Sequence, residues 1–395
     1  MPRYDKKREA TNRERDVTDF SKSYKRFGVT QTCKGVLFLA QLHKERRRRI
    51  RQLLACVILA SLSFALLPSL NATATAPMQS SSPPSFTNWA DWQAYVANVP
   101  EPQAGCFVAH YPSTVWQPTQ CVAAPLVPLT VGNLNDWVAY IAGAEIIGRS
   151  KGSFKSVTGL KSETDVCVGP PPFCTKGGQG TNGYSLQVNS QTFATETPYT
   201  NGEPLLCISP SNVCAWQQFD FENSPKGFTG IFIQYWLLNY HSWYGDCPST
   251  GPPGGSAWKV NGGDCYADSY ALVVPSQPAS KLVKLSLAGY AKDSAGHDKV
   301  ELCVSGGDCY WVVTTPKVLN LYEYWYLSEF NVFGWGNGSQ AQFNSGTKIT
   351  VVNTLTLNGK LEPLCSNMGQ TGETNNLNLG SCSSHNTYIQ FTESN

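Results

Sequence analysis

The chain has 395 residues, 41% of them apolar, with 30 Lys/Arg against 28 Asp/Glu. The near-neutral total hides an asymmetry: residues 1–51 hold 16 basic and 6 acidic side chains, which leaves 14 and 22 for the rest, where Arg149 is the only arginine. With the basic excess confined to the leader, nothing beyond that charge points to nucleic acid, and an acidic body short of Lys/Arg gains little net charge when its carboxylates protonate, which suits acid surroundings.

Taken in order, residues 1–51 form a basic leader ending in Lys44–Arg51 (KERRRRIR). It is far longer than a usual signal n-region, so it is either a cytoplasmic tail or a start placed too far upstream. An apolar run, Leu53–Leu70, and the small residues Ala72-Thr73-Ala74 follow, the layout of a secretory signal over 52–74. Cleavage after Ala74 is preferred, because cleavage after Ala76 would leave Pro77 first. The alternative is an uncleaved membrane anchor, since about 18 apolar residues lie at the lower limit for crossing a bilayer. A Pro/Ser linker covers 75–87. Asn88–Val99 places Trp89, Trp92 and Val96 at helical spacing. Tyr111–Leu129 is Pro-rich, Asp136–Ile147 reads as helix or strand, and Pro and Gly clusters in 168–182 mark a loop or boundary.

From about 183 the pattern becomes that of short strands: Tyr184–Val188, Ile231–Leu238, Ala271–Val274, Leu282–Tyr290, Val300–Val304, Tyr310–Thr314, Ser328–Phe333, Lys348–Leu355 and Thr387–Phe391, separated by Gly, Asn, Asp or Ser. Many short strands with turn signals predict an all-β sandwich or jelly roll of two antiparallel sheets over 176–395. Residues 88–175 are expected to be a smaller, mixed α/β region, either propeptide-like or an integral accessory domain.

Cys33 and Cys56 fall in the leader and signal, and the remaining twelve cysteines lie in near neighbours: Cys106 and Cys121, Cys167 and Cys174, Cys207 and Cys214, Cys247 and Cys265, Cys303 and Cys309, Cys365 and Cys382. In an exported chain this predicts six local disulfides. There is no C-x2-C or H-x3–5-H pair, so neither a metal nor any other cofactor is expected.

G-x-S-x-G, H-E-x-x-H, a P-loop and the D-[ST]-G of aspartic proteases are all absent. An enzyme built this way must work with carboxylates and amides. Two segments offer them. Gln234 interrupts the apolar run Gly230–Leu238 beside Tyr235, Trp236 and Tyr240, and Glu329 opens a strand flanked by Tyr324, Trp325, Tyr326 and Phe330. A carboxyl among aromatic rings holds its proton to higher pH and can act as base and then acid. A primary amide can steady an oxyanion without adding charge. Asp220, Glu222 and Glu373 are competing carboxylates in more polar, loop-like settings.

Ala215-Trp216-Gln217-Gln218-Phe219-Asp220-Phe221 with Ile231-Phe232-Ile233-Gln234-Tyr235, and Ser328-Glu329-Phe330-Asn331-Val332-Phe333 with Phe343–Val351, resemble the two signature regions of the glutamic peptidases (eqolisins), A-W-V-G-I-D-G…I-L-Q-T-G and A-E-W-I-V-E…F-x-x-F-G-x-V-x-F. Asn182–Val188 is similar to the family's N-W-A-G-A-V opening. The likeness spans about 175 residues, from about 182 to about 355. Trp236 stands where the family has the Gly of Q-T-G, Phe330 where it has Trp, and Phe333 where it has the second Glu. The resemblance implies a concanavalin-like sandwich, a secreted acid-active endopeptidase made with a propeptide, and Gln234 and Glu329 as the catalytic dyad. Trp216, Tyr235, Trp236 and Tyr240 are then expected to bind a polypeptide substrate. The competing expectation is a non-catalytic module that stacks Tyr235, Trp236, Tyr240, Trp243, Tyr244 and Trp335, with the Asn/Gly loop Gly334–Gly338, on polysaccharide. A monomer is expected, secreted, or membrane-anchored with an exported body if the signal stays uncleaved.

Overall fold

The computed structural model describes residues 84–395 except 101–102, 126–135, 144, 170–177, 196–206, 208–211, 293–295, 337 and 370–373. The leader, the signal segment, most of the linker, Cys174 and Glu373 therefore lie outside the described residues.

Two large antiparallel sheets face each other. Sheet I runs in the order Gln117–Thr119, Gly105–Ala109, Cys309–Thr314, Asp298–Val304, Leu285–Tyr290, Ile147–Thr158, Lys348–Leu357, Tyr388–Ser394, Asn378–His385. Sheet II runs Lys259–Asn261, Asp264–Val273, Thr229–Leu238, Cys214–Asn223, Tyr184–Ser190, Leu327–Phe333, Trp137–Tyr140, Leu364–Asn367, with Val122–Ala123 also paired to Asp264–Val273. A small third sheet carries Glu163–Cys167 and Ser339–Phe343. The expected all-β sandwich is thus observed.

The core lies between the large sheets. Leu186, Val188, Phe219, Phe221, Ile231, Ile233, Phe330 and Val332 of sheet II meet Leu287, Val300, Leu302, Val312, Ile349 and Val351 of sheet I. Alternation along each strand sends these apolar residues inward and the residues between them to the opposite face. Two glycines let the sheets close. A Cβ on Gly152 would sit 1.9 Å from the Phe330 ring, and one on Gly289 would sit 2.3 Å from the Phe219 ring. Glycine in a strand interior commonly marks such a close approach. Gly289→Ala is expected to lower the stability of the fold by about 3 kcal/mol or more, as overpacking does; chemical denaturation of the variant beside the wild type measures it.

The boundary expected near 176 does not divide the sandwich. Ile147–Thr158 is an internal strand of sheet I, paired on one side with Leu285–Tyr290 and on the other with Lys348–Leu357. Gly105–Ala109 pairs with Cys309–Thr314, and Trp137–Tyr140 pairs with Leu327–Glu329 of sheet II. The helix expected over Asn88–Val99 forms over Trp89–Val96, N-capped by the Asn88 side chain, which accepts from the Asp91 amide. Trp92 and Val96 of this helix pack with Trp116, Trp311 and Val313 in a second cluster. Gln93 donates to Ser286 Oγ at 3.0 Å and accepts from Lys151 Nζ at 2.8 Å. Beside them the body's one arginine, Arg149, pairs with Glu301 at 3.3 Å, and Lys299 lies over the rings of Tyr290 and Trp311. The N-terminal region thus supplies strands to both sheets and a helix packed on sheet I.

Five disulfides join Cys106–Cys121, Cys207–Cys214, Cys247–Cys265, Cys303–Cys309 and Cys365–Cys382, as local pairing predicts. Cys167 is also disulfide-bonded. Such a density of bridges fits an oxidising compartment. Among the described residues no helix is long and apolar enough to cross a membrane.

Candidate active site

The face of sheet II turned away from the core carries polar residues where an ordinary sheet would present them to water. Here they are buried. Register places five of them in a single row across five strands. Glu329 is opposite Asn189, Asn189 opposite Gln218, Gln218 opposite Gln234, and Gln234 opposite Asp268. Residues directly opposite in a ladder share a face, so Gln234 and Glu329 lie on the same side of one sheet. Three strand spacings separate them, roughly 14 Å between backbones on a flat sheet at about 4.8 Å per strand. All five members of the row are 0% exposed.

Hydrogen bonds run the length of this row. Gln234 Nε2 donates to Asp268 Oδ1 at 2.8 Å, and Gln234 Oε1 accepts from Trp236 Nε1 at 2.9 Å. The same indole N–H reaches Gln218 Oε1 at 2.9 Å. Gln218 Nε2 donates to Gln187 Oε1 at 3.1 Å, which also receives Asn189 Nδ2 at 3.2 Å. Asn189 Nδ2 in turn reaches Glu329 Oε2 at 3.3 Å. Every amide is thereby oriented: the Gln234 carboxamide is held at both ends, and a carboxyl terminates the row at each side.

Asp268 and Asn189 were not singled out from sequence. The signal available for Asn189 was the alternation Ser185-Gln187-Asn189, which ordinarily denotes a solvated strand face. Asp268 follows a Cys and a Tyr in a segment whose N-terminal half carries no strong strand pattern. Burial pushes the Asp268 carboxyl up to about 7, against a smaller opposing effect of the Gln234 hydrogen bond. It therefore carries its proton throughout the acid range. Such a group at the end of a fixed amide can donate as well as accept.

The remaining expected site residues divide by face. Trp216 and Trp236 lie on the polar face and form a cluster with Tyr266, their own rings 6.0 Å apart between centroids. Asp220 and Glu222 also lie on that face, in the strand Cys214–Asn223 and fully buried, not in the loop-like setting expected for them. Tyr235 belongs to the other face. It sits in the core, its hydroxyl 3.0 Å from Thr314 Oγ1 of sheet I, so it cannot line a cleft on the polar side. Strand alternation forces this outcome, since Tyr235 is flanked by two residues of the polar face. Tyr240 is 2% exposed, packed on Tyr244 at the start of the short helix Tyr240–Tyr244, and it too is core rather than binding surface.

The cover over the Glu329 end includes Gly369. A Cβ added there would lie 2.6 Å from Glu329 Oε1 and 2.7 Å from Asp136 Cβ. At the other end the Ser256 hydroxyl accepts from the Asp268 amide at 2.9 Å. Among the described residues no group of three or more His, Cys, Asp or Glu side chains converges as a metal site would require.

No protein-family model matches the chain, and no curated protein matches it. The chemistry of the site therefore rests on its own geometry.

Proposed function

We propose that the polar face of sheet II is the active site of a secreted, acid-active peptidase of glutamic type on a concanavalin-like sandwich. The observation that supports this reading is the shared row: Glu329 and Gln234 project from one face of one sheet, three strand spacings apart, with the oriented amides of Asn189 and Gln218 between them. In this reading Glu329 takes a proton from the attacking water and returns it to the leaving amine. The Gln234 amide donates to the oxyanion, its orientation fixed by Asp268 and Trp236. Asn189 positions the Glu329 carboxyl. Because Glu329 is fully buried, a polypeptide reaches it only when the cover moves, and Gly369 lies directly against it.

The test is proteolysis of a denatured protein substrate at pH 3–4 by the processed wild type, Glu329→Gln and Gln234→Ala. The wild type is expected to cleave, resistant to pepstatin. Glu329→Gln should lose about a thousandfold or more, and Gln234→Ala about a hundredfold to a thousandfold. Equal activity in all three would remove the dyad assignment.

A second reading, a secreted module that binds polysaccharide without catalysis, draws on the exposed rings of Trp243 (63%) and Tyr244 (48%). Buried Tyr235, Trp236 and Tyr240 offer it nothing. Inactivity of the wild type at every acid pH, together with binding to insoluble polysaccharide, would favour it.

A further inference from the structure

Sheet II is interrupted just beyond Glu329. The strand Trp137–Tyr140 pairs with Leu327–Phe333 only through Leu327, Ser328 and Glu329. Two residues on, where the same register would set Asn331 opposite Asp136, the ladder has stopped and both residues line a cavity of about 500 Å³. That volume falls within the range of small-ligand sites, roughly 300–1,000 Å³. Gly369 joins the cavity to the row, since a Cβ there would lie 2.6 Å from Glu329 Oε1 and 2.7 Å from Asp136 Cβ.

The inner wall is committed to the fold. Asn331 Nδ2 donates to Asp136 Oδ2 at 2.8 Å and to Glu393 Oε2 at 3.1 Å. Asn375 Nδ2 caps the Val332 carbonyl, on the strand edge left open, at 3.0 Å. Burial pushes Asp136 up to about 6 and Glu393 up to about 8, so in acid the carboxyls of this wall are neutral. The mouth is different. Asn367 and Asn378 come from the last strand of each large sheet and are exposed, with half-buried Leu379 beside Asn378. A guest therefore meets amide donors and acceptors and an apolar strip, but no charge. A Lys or Arg head would leave water without a counter-ion, which is costly. An aliphatic side chain would leave the mouth amides unanswered. A primary amide on a short methylene stem matches both surfaces. A sugar would want an open ring face to stack on, and Phe333, the one ring among the described lining residues, is only 2% exposed.

We infer that this cavity is a recognition pocket for an uncharged amide side chain, glutamine or asparagine, of a polypeptide lying along the polar face next to Glu329. The polypeptide part of this statement rests on the peptidase reading; the choice of an amide over a cation does not. Asn367 and Asn378 are the specificity-determining pair, and the neutral wall behind them excludes charge.

The probes are N-acetyl-glutamine amide, N-acetyl-lysine amide, N-acetyl-norleucine amide and the neutral disaccharide cellobiose. Binding to the wild-type protein is measured at about pH 4 by saturation-transfer NMR, which reads weak ligands. The glutamine probe should bind about tenfold or more tightly than each of the others. Asn378→Trp, at an exposed position, should block the mouth and abolish that binding. The double variant Asn367→Ala/Asn378→Ala should reduce glutamine to the level of norleucine. Lysine or cellobiose binding as tightly as glutamine would overturn the proposal, as would no glutamine binding at all. Unchanged glutamine binding in an Asn378→Trp protein of native circular dichroism would overturn it equally. Glu329→Gln should keep the preference, so the two readings are scored separately: a wild type without proteolysis that still selects glutamine fails only the peptidase reading.

Discussion

The melting temperature is expected to be highest near pH 3–4 and to fall by about 20 °C or more by pH 8. The cause is a set of buried carboxyls that the fold holds protonated. Burial pushes Asp136 up to about 6, Asp268 to about 7, Glu393 to about 8 and Glu163 to about 9. The ionised neighbour Asp165 adds to the effect at Glu163, and Asp136 adds to it at Glu393. Asp165 and Asp264 are raised as well, again by burial. In the unfolded chain all of them ionise near pH 4. Between pH 4 and pH 9 the folded state therefore binds more protons than the unfolded state, and stability falls as pH rises. Each tenfold displacement of a dissociation constant is worth about 1.4 kcal/mol. A carboxyl such as Glu163, with neither oxygen hydrogen-bonded among the described residues and no exposure, then costs on the order of 5 kcal/mol once ionised. That is comparable with the whole stability of an ordinary domain, about 5–15 kcal/mol, and about 1 kcal/mol moves the midpoint by about 2–4 °C in a domain of this size.

Scanning calorimetry from pH 3 to pH 9 measures this directly. Glu163→Gln fixes the neutral form and should raise the midpoint at pH 8 while leaving it unchanged at pH 3. A midpoint that is flat or rises between pH 4 and pH 8 would show that these carboxyls ionise freely in the fold. The expected direction is opposite to that of a protein stabilised by ionised, salt-bridged carboxylates, which weakens in acid. It agrees with an acidic body almost free of arginine, and it bears on the site, since Asp268 is among the groups that hold their protons.

Much of the sandwich was legible in the sequence. The runs around Tyr184, Ile231, Val300, Tyr310, Ser328 and Lys348 are rich in β-branched and aromatic residues, and each is a strand within a few residues of its expected ends. Leu282–Tyr290 divides into a 3-10 turn over Ala279–Lys284 and a strand over Leu285–Tyr290. What escaped was Ile147–Thr158, whose sequence IGRSKGSFKSVT mixes glycine, lysine and serine. Its Gly152 is there to admit the Phe330 ring, and Arg149 and Lys151 find buried partners in Glu301 and Gln93. A strand whose composition answers to tertiary neighbours cannot announce itself locally. The same applies to Cys214–Asn223, where Gln218, Asp220 and Glu222 are polar because the face they form is polar and buried together. At the site, Gln234 and Glu329 could be picked out because each interrupts an apolar, aromatic run. Asn189 and Asp268 could not, since only register across five strands reveals that they share a row.

A chain beginning at residue 176 is expected not to fold, whereas one beginning at residue 84 folds. Cutting at 176 removes Ile147–Thr158 from the middle of sheet I, where its register with Lys348–Leu357 extends from Lys348 to Leu357 and with Leu285–Tyr290 from Ser286 to Tyr290. The strands on either side become raw edges with unpaired backbone groups, and Phe154 and Ile147 leave the core. The cut also removes Trp137–Tyr140, the strand against Leu327–Glu329, and with it Asp136. Glu329 thereby loses its neighbouring strand on one side. A nick within 168–182 is a different matter, for it severs one connection and leaves every strand of both large sheets in place. Processing there should yield two chains that stay together and co-elute, separating only under denaturing conditions. Expression of 84–395 and 176–395, followed by circular dichroism and gel filtration before and after limited proteolysis, distinguishes these outcomes. A monomeric 176–395 that unfolds cooperatively would show that the N-terminal strands are dispensable. If 176–395 does not fold alone, any cut within 168–182 is one made inside an assembled sandwich, with the helix Trp89–Val96 still packed on it.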